Sequence, residues 1–252
     1  MRCALRKQNS LLALLMTMSL VGTVNAGQIK VDTLKYGVVI ESSRIIYPSD
    51  STGSVLPVEN PQSYPVLVQT KILTEKKDKS APFFVSPPLF RLDSGKRYSL
   101  RITKTGDNFP QDKESLFWVC VKGIPPKADD LWAEKKGSDS SNKDIGVMLN
   151  ISIDNCIKLI LRPDKLEGRP LDYANQISWR KSGNELVGYN KSAFYMNLGS
   201  VSFNGMKLTP DYIPPGGERR FPLESSVANT GTVTWNVFDD YGAMSTDFSS
   251  KI

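Results

Sequence analysis

The sequence predicts an all-β protein built from β-sandwiches, and three observations carry that expectation. Short runs of β-branched, apolar and aromatic residues recur between Pro, Gly, Asn and Ser. No stretch sustains the i, i+3, i+4, i+7 apolar spacing with capping residues that marks an amphipathic helix. The runs also follow one another at near-regular intervals without intervening helices, which indicates a sandwich and not a parallel α/β sheet. A chain of 252 residues has room for two such domains.

The first 26 residues stand apart from this pattern. Arg2, Arg6 and Lys7 precede an apolar run over 11–21, and Val24-Asn25-Ala26 supplies small or short side chains at the cleavage-specifying positions. The segment reads as a secretory signal peptide cut near Ala26. A membrane anchor is the alternative, but the run is short for a bilayer and contains Thr17 and Ser19. No later segment could span a bilayer, so membrane insertion is not expected. Loss of three cations and no acid halves the formal charge of +6. What remains gives little reason to expect a nucleic-acid partner, whose readers concentrate basic residues in a patch or helix.

Along the rest of the chain, strands are expected at 38–40, 45–47, 66–72, 98–102 and 116–121. After Arg162-Pro163 the same style restarts, with runs at 177–179, 185–189, 194–198, 201–203, 219–223 and 232–238. The domain boundary is therefore placed at 163–166. The polar stretch 123–146, with only Leu131 and Trp132 as large apolar residues, reads as a long mobile loop. Its flanks carry Cys120 and Cys156. Cys3 leaves with the signal, so these two are the mature chain's cysteines, delivered to an oxidising compartment. One intramolecular disulfide is the economical reading, and two separate buried thiols are the alternative. Such a bond would stabilise the fold by about 2–4 kcal/mol and hold the flanking strands while the loop moves.

The segment after the loop is the most informative. Over 145–161, Ile145, Val147, Leu149, Ile151, Ile153, Ile157, Leu159 and Leu161 occupy every odd position except Asn155. An alternation about three times the usual strand length of roughly 5–6 residues exceeds what the core of one small domain can cover. Two readings stay open here. The half from Val147 to Ile153 is an apolar edge offered to another protein by strand addition, or the strand bends between two sheets or breaks near Asp154-Asn155.

Chemistry is constrained by an absence. With no histidine, Ser/His/Asp and Cys/His nucleophiles, a histidine base, His-ligated zinc and His-ligated haem are excluded. There is no CxxC pair and no Walker sequence, and Gly216-Gly217 reads as a turn. Asp112 and Glu114, two apart, superficially suggest a carboxylate pair, but a solvated or salt-bridged pair is the simpler account. Neither an enzyme nor a cofactor or metal is expected.

Five motifs stand in order along the chain: Ser42-Ser43-Arg44-Ile45-Ile46-Tyr47-Pro48, Ser86-Pro87-Pro88-Leu89-Phe90-Arg91-Leu92, Pro110-Gln111-Asp112-Lys113-Glu114-Ser115-Leu116-Phe117-Trp118, Cys156-Ile157-Lys158-Leu159-Ile160-Leu161-Arg162-Pro163 and Asp239-Asp240-Tyr241-Gly242. Together they resemble the periplasmic pilus chaperones of the chaperone/usher pathway. The disulfide-flanked insertion is similar to the subfamily with a long loop between strands F and G, which assembles thin fibres, capsule-like coats and afimbrial adhesins. The resemblance implies two immunoglobulin-like β-sandwiches set at an angle, a strand-donating domain over 27–163 and a second over 164–252. It further implies a non-enzymatic chaperone in the periplasm of a Gram-negative bacterium. Such a protein would bind one fimbrial or adhesin subunit in a 1:1 complex by donating a strand, and deliver it to an outer-membrane usher.

By matched position, Arg44 and Lys158 would bind the subunit's C-terminal carboxylate, and Glu114, Arg162 and Asp240 would form an ion cluster between the domains. Val147, Leu149, Ile151 and Ile153 would be the donor side chains. In the free chaperone that row is expected to be disordered, covered by an N-terminal extension at 28–31 containing Ile29 and Val31, or hidden by self-association through the same edge. A secreted immunoglobulin-like adhesin or receptor-binding module is the alternative, since a fold does not fix a function.

Overall fold

The computed structural model describes residues 30–126, 130–132, 146–224 and 228–252. The expected signal peptide and most of the expected loop lie outside them. Among the described residues no helix is long and apolar enough to cross a membrane.

The larger unit holds two hydrophobic cores. The first lies within nine strands: β2 (Val39–Ile40), β3 (Arg44–Pro48), β4 (Ser54–Glu59), β5 (Val66–Thr74), β6 (Phe83–Ser86), β7 (Leu89–Leu92), β8 (Arg97–Lys104), β9 (Ser115–Ile124) and β11 (Asp154–Arg162). They form a five-stranded sheet ordered β3-β11-β9-β5-β7 and a four-stranded sheet ordered β2-β4-β8-β6. Period-2 alternation decides which side chains turn inward. Val66, Val68 and Ile72 of β5, Val119 and Val121 of β9, and Leu159 and Leu161 of β11 meet Leu56, Val58, Leu100 and Ile102 of the other sheet in one buried cluster.

Strands β4, β6 and β7 go beyond the sequence expectation. β4 contains Pro57, and β6 and β7 are four-residue edge strands separated by Pro87-Pro88, where the chain passes from one sheet to the other. Pro57 is tolerated because β2 pairs only with Val58 and Glu59, so at position 57 β4 has β8 alone as a neighbour, and Pro87-Pro88 falls between two edge strands, where no inner-strand donor is lost.

The second core lies among a short helix, α1 (Pro170–Tyr173), a 3₁₀ turn (Ala174–Gln176), and strands β12 (Ser178–Ser182), β13 (Glu185–Tyr189), β14 (Met196–Phe203), β15 (Met206–Leu208), β16 (Tyr212–Ile213), β17 (Glu218–Pro222), β18 (Thr232–Val237) and β19 (Phe248–Lys251). One sheet runs β12-β13-β17 and the other β15-β14-β18-β19, with β16 also on β14. Trp179, Leu186, Phe194, Phe203, Phe221 and Trp235 fill the space between them. Gly188 is required here, since a Cβ on it would stand 2.7 Å from the Trp179 ring. The runs expected at 194–198 and 201–203 join into β14, with a register shift between Leu198 and Ser200.

Each core is closed by a buried asparagine at the turn before a central strand. Asn60 Nδ2 donates to the carbonyls of Tyr64 and Leu92 at 2.8 and 3.0 Å, and Asn190 Nδ2 donates to those of Phe194 and Ile213 at 2.7 and 3.2 Å. A small third cluster of Leu116, Ile160 and Tyr195, flanked by Ile46 and Tyr212, joins residues of both sandwiches.

The alternation over 145–161 is divided between two strands. β10 (Gly146–Ser152) pairs with β1 (Lys30–Tyr36) in a separate two-stranded sheet, and β11 begins at Asp154. The break falls at Ile153, one residue before the expected Asp154-Asn155. There the backbone changes partner: Ile153 N–H donates to the Tyr36 carbonyl at 2.7 Å, and the Ile153 carbonyl accepts from Gly123 at 2.9 Å. The described residues 30–33 and 146–149 belong to the smaller unit of the chain.

Candidate functional site

Strand β11 lies between β9 and β3, parallel to β3 and antiparallel to β9. That register sets Lys158 beside Arg44 on one side and beside Trp118 on the other. Both cations are half-buried. The Lys158 ammonium donates to Asn197 Oδ1 at 2.5 Å and faces the Tyr212 and Trp118 rings at 5.0 and 5.9 Å. The Arg44 guanidinium lies 5.1 Å from the Phe238 ring centre. Lys77 also lies 3.9 Å from the centre of the Trp118 ring, and Arg219 4.4 Å from that of Tyr212.

Neither Arg44 nor Lys158 forms an ion pair with a carboxylate among the described residues, whereas Arg219 is 3.3 Å from Asp211. Burial, then the Arg44 charge, pushes the Lys158 ammonium down to about 8. Burial also lowers Arg44, against the opposing fields of Asp239 and Asp240. Two adjacent desolvated cations, neither in ion-pair contact with a carboxylate among the described residues, form a site that an anion would relieve.

Four residues further along β11, Arg162 is placed differently. Its Nε donates to Glu114 Oε1 at 2.7 Å, and its two terminal nitrogens donate to Asp240 at 2.8 and 2.7 Å. The other Glu114 oxygen accepts the Tyr195 backbone N–H at 2.6 Å. The Glu114 side chain is fully buried, and this burial outweighs Arg162 and raises its pKa. Burial also opposes the Arg162 charge, but the hydrogen bonds it donates to Asp240 and the Glu114 carboxylate more than offset this. The guanidinium is held charged because it sees two carboxylates, while Glu114 sees one cation and the repulsion of Asp240.

The structure therefore brings Arg44 and Lys158 together, and brings Glu114, Arg162 and Asp240 together. Cys120 and Cys156 are bonded to each other across the β9/β11 pair. On β10, Val147 and Leu149 are each 48% exposed and Ile151 is 37% exposed. Ile153 does not share that exposure. It is half-buried against Gly37, where an added Cβ would stand 2.9 Å from the Ile153 Cβ. Val31 of β1 is 57% exposed, and Ile29 lies outside the described residues.

Sequence reasoning missed the second-sandwich residues that complete the cation site: Asn197, Tyr212 and Phe238. Phe238 precedes the Asp239-Asp240-Tyr241-Gly242 motif and was within reach, but no local pattern marks Asn197 or Tyr212.

Comparison with known proteins gives a consistent picture. Residues 37–167 match the family described as pili and flagellar-assembly chaperone, PapD N-terminal domain, and residues 172–249 match the pili assembly chaperone PapD, C-terminal domain. The chain is 44% identical over 229 residues to chaperone protein caf1M of Yersinia pestis, covering 89% of each. It is 40% identical over 203 residues to chaperone protein AfaB of Escherichia coli, covering 80% of this chain and 82% of that one. Among solved structures, the E. coli chaperone DraB superposes with a TM-score of 0.74 at 38% identity, covering 88% of this chain and 98% of that chain. The Salmonella enterica SafB chaperone, solved in complex with the SafA pilin, gives 0.77 at 37% identity, covering 89% and 100%.

Proposed function

The chain belongs to the PapD-like pilus-assembly chaperones of the chaperone/usher pathway, and we propose that it captures a fimbrial or adhesin subunit through strand β11 and the exposed row of β10. The observation that carries this reading is the adjacent pair Arg44 and Lys158, desolvated and, among the described residues, in ion-pair contact with no carboxylate. A subunit's C-terminal carboxylate supplies the missing charge, and its last strand continues the sheet, with the anion fixing register at one end. Val147, Leu149 and Ile151 then fill an apolar groove that the subunit cannot close by itself. Ile153 follows the end of that row, half-buried at the point where the chain changes partners. Each buried aliphatic side chain contributes roughly 1.5–3 kcal/mol, enough in sum to keep an aggregation-prone subunit in solution.

In this reading the first sandwich spans 27–163 and donates the strand, and the second spans 164–252. The two buried cores and the two family matches, 37–167 and 172–249, support that division. The Glu114-Arg162-Asp240 cluster is structural, and the Cys120-Cys156 bond pins β11 in register with β9. The protein works in the periplasm after cleavage near Ala26, forms a 1:1 complex, and passes its cargo to an outer-membrane usher. The free chaperone shields its apolar row by self-association or with its own N-terminal segment. Support for a subunit as partner comes from the SafB chaperone, a relative in structure that was solved with a pilin bound.

The test is coexpression of the mature chain with candidate secreted subunits, scored by what copurifies. Wild-type chaperone brings down a small subunit in equal amount. Arg44→Ala, Lys158→Ala and, separately, Leu149→Asn or Ile151→Asn lose it while staying folded with the disulfide intact. Unchanged capture by the first two would refute the anchor, and unfolding of the asparagine variants would make the β10 row ordinary core.

A further inference from the structure

The anion site is completed from the second sandwich by a single neutral side chain. Asn197 is buried, at 4% exposure, on β14, where its register partner is Tyr212. Its Oδ1 accepts from the Lys158 ammonium, and its Nδ2 is turned toward the Tyr195 carbonyl at 3.4 Å, an arrangement that orients the amide oxygen at the lysine. Its backbone carbonyl accepts from Phe238 N–H at 2.8 Å, and the Phe238 ring underlies Arg44. One residue thus touches Lys158 directly, pairs with the strand carrying one ring beside it, and holds the residue that supports the second cation.

We infer that Asn197 is a positioning residue for the carboxylate site: it holds the Lys158 ammonium charged and aimed between the Trp118 and Tyr212 rings while contributing no charge that would compete with the ligand. The inference rests on the reading of Arg44 and Lys158 as a carboxylate anchor. Its physical basis is the balance around the ammonium. Arg44 on β3, Lys77 in the turn after β5 and Arg219 on β17 repel it, Asp211 before β16 attracts it, and Asp239 and Asp240 act on Arg44. Burial adds to the repulsion. Among the described residues, the Lys158 ammonium finds its hydrogen-bond acceptor in Asn197. An acidic residue at this position would neutralise the lysine and close the site, and an apolar one would leave a buried ammonium facing three cations.

The experiment follows the Lys158 ammonium by NMR across pH in the mature chain, together with binding of a synthetic peptide of alternating valine and threonine ending in a free carboxylate. Its C-terminal amide serves as control. The wild-type midpoint is expected at about 8. Removing the acceptor in Asn197→Leu lowers it by about one pH unit, so carboxylate-peptide binding falls about tenfold at pH 8.5 yet stays within about twofold of wild type at pH 6. Asn197→Ser, which keeps an oxygen acceptor, restores the wild-type profile. Asn197→Asp raises the midpoint and loses the peptide at every pH, which keeps the idea testable if the leucine variant does not fold. An unmoved midpoint, or a loss equal at pH 6 and pH 8.5, would overturn the role of Asn197. Equal binding of the carboxylate and amide peptides would instead overturn the anchor reading, with the NMR midpoint still deciding Asn197.

Discussion

Lys158 and Arg162 stand four residues apart on the same strand, with the same formal charge, and the fold treats them in opposite ways. Arg162 is held by two carboxylates in a fork of short hydrogen bonds, whereas Lys158 meets a neutral amide and two aromatic faces. A buried cation whose charge is matched within the chain is a structural part, and removing it strands its partners. A buried cation left unmatched is a cost the fold carries, and such a cost is retained where a ligand recovers it. The difference separates the part of β11 that holds the molecule together from the part proposed to hold a subunit.

The largest effect that could break this comparison is at Arg162. Arg162→Met leaves Glu114 buried without its cation and Asp240 without its fork, and is expected to cost about 3–5 kcal/mol. Urea unfolding measures it, and a cost below that of an ordinary surface change would mean the cluster is ornamental. Next comes the disulfide that fixes the register of β11 two residues before Lys158. Cys120→Ser with Cys156→Ser opens a loop spanning a separation of 36 residues and should cost about 4 kcal/mol in the chain-entropy picture. Peptide mapping without reductant checks the bond itself, and two free thiols in exported protein would remove that support for the site.

The smallest effect has the most diagnostic sign. Lys158 has a folded pKa of about 8, below the 10.5 of a free lysine, so between those values the unfolded chain binds the proton more tightly. Stability should therefore rise as pH climbs from about 8 toward 10.5, by about 1–2 kcal/mol once partial solvation of the ammonium is allowed for. Lys158→Met should abolish that rise and, at neutral pH, leave stability unchanged or slightly higher, because the unpaired charge is gone. Destabilisation comparable to that of Arg162→Met would erase the distinction between the two cations.

Much of this was legible before any coordinates. The strands at 185–189, 232–238 and 66–72 announce themselves because β-branched and aromatic residues alternate between turn formers, and the structure places strands there. The edge strands β6 and β7 were not legible, since Pro87-Pro88 suppresses the signal and their pairing comes from sequence-distant β8 and β5. The row from Val147 to Ile153 reads as uniform, yet Ile153 leaves it, because a glycine at position 37 opens space that this side chain fills. The cluster of Glu114, Arg162 and Asp240 was named through matched motifs; its geometry was not readable from spacing, as its members lie on segments far apart in the chain.

The sequence by itself determined what depends on neighbours along the chain: the alternation of β11, the presence of cysteines at 120 and 156, the absence of histidine chemistry, and the basic character of positions 44, 158 and 162. Tertiary structure alone decided which of those charges is answered. Arg162 is neutral in effect because residues 114 and 240 reach it, and Lys158 is not because residue 197 offers an amide oxygen instead of a carboxylate. Likewise Leu159 and Leu161 are buried because a second sheet packs against them, while Val147 and Leu149, with the same pattern, stay exposed. Periodicity specifies which residues share a face of a strand; only the contacts made by distant segments specify whether that face meets protein, and whether a charge on it meets its opposite.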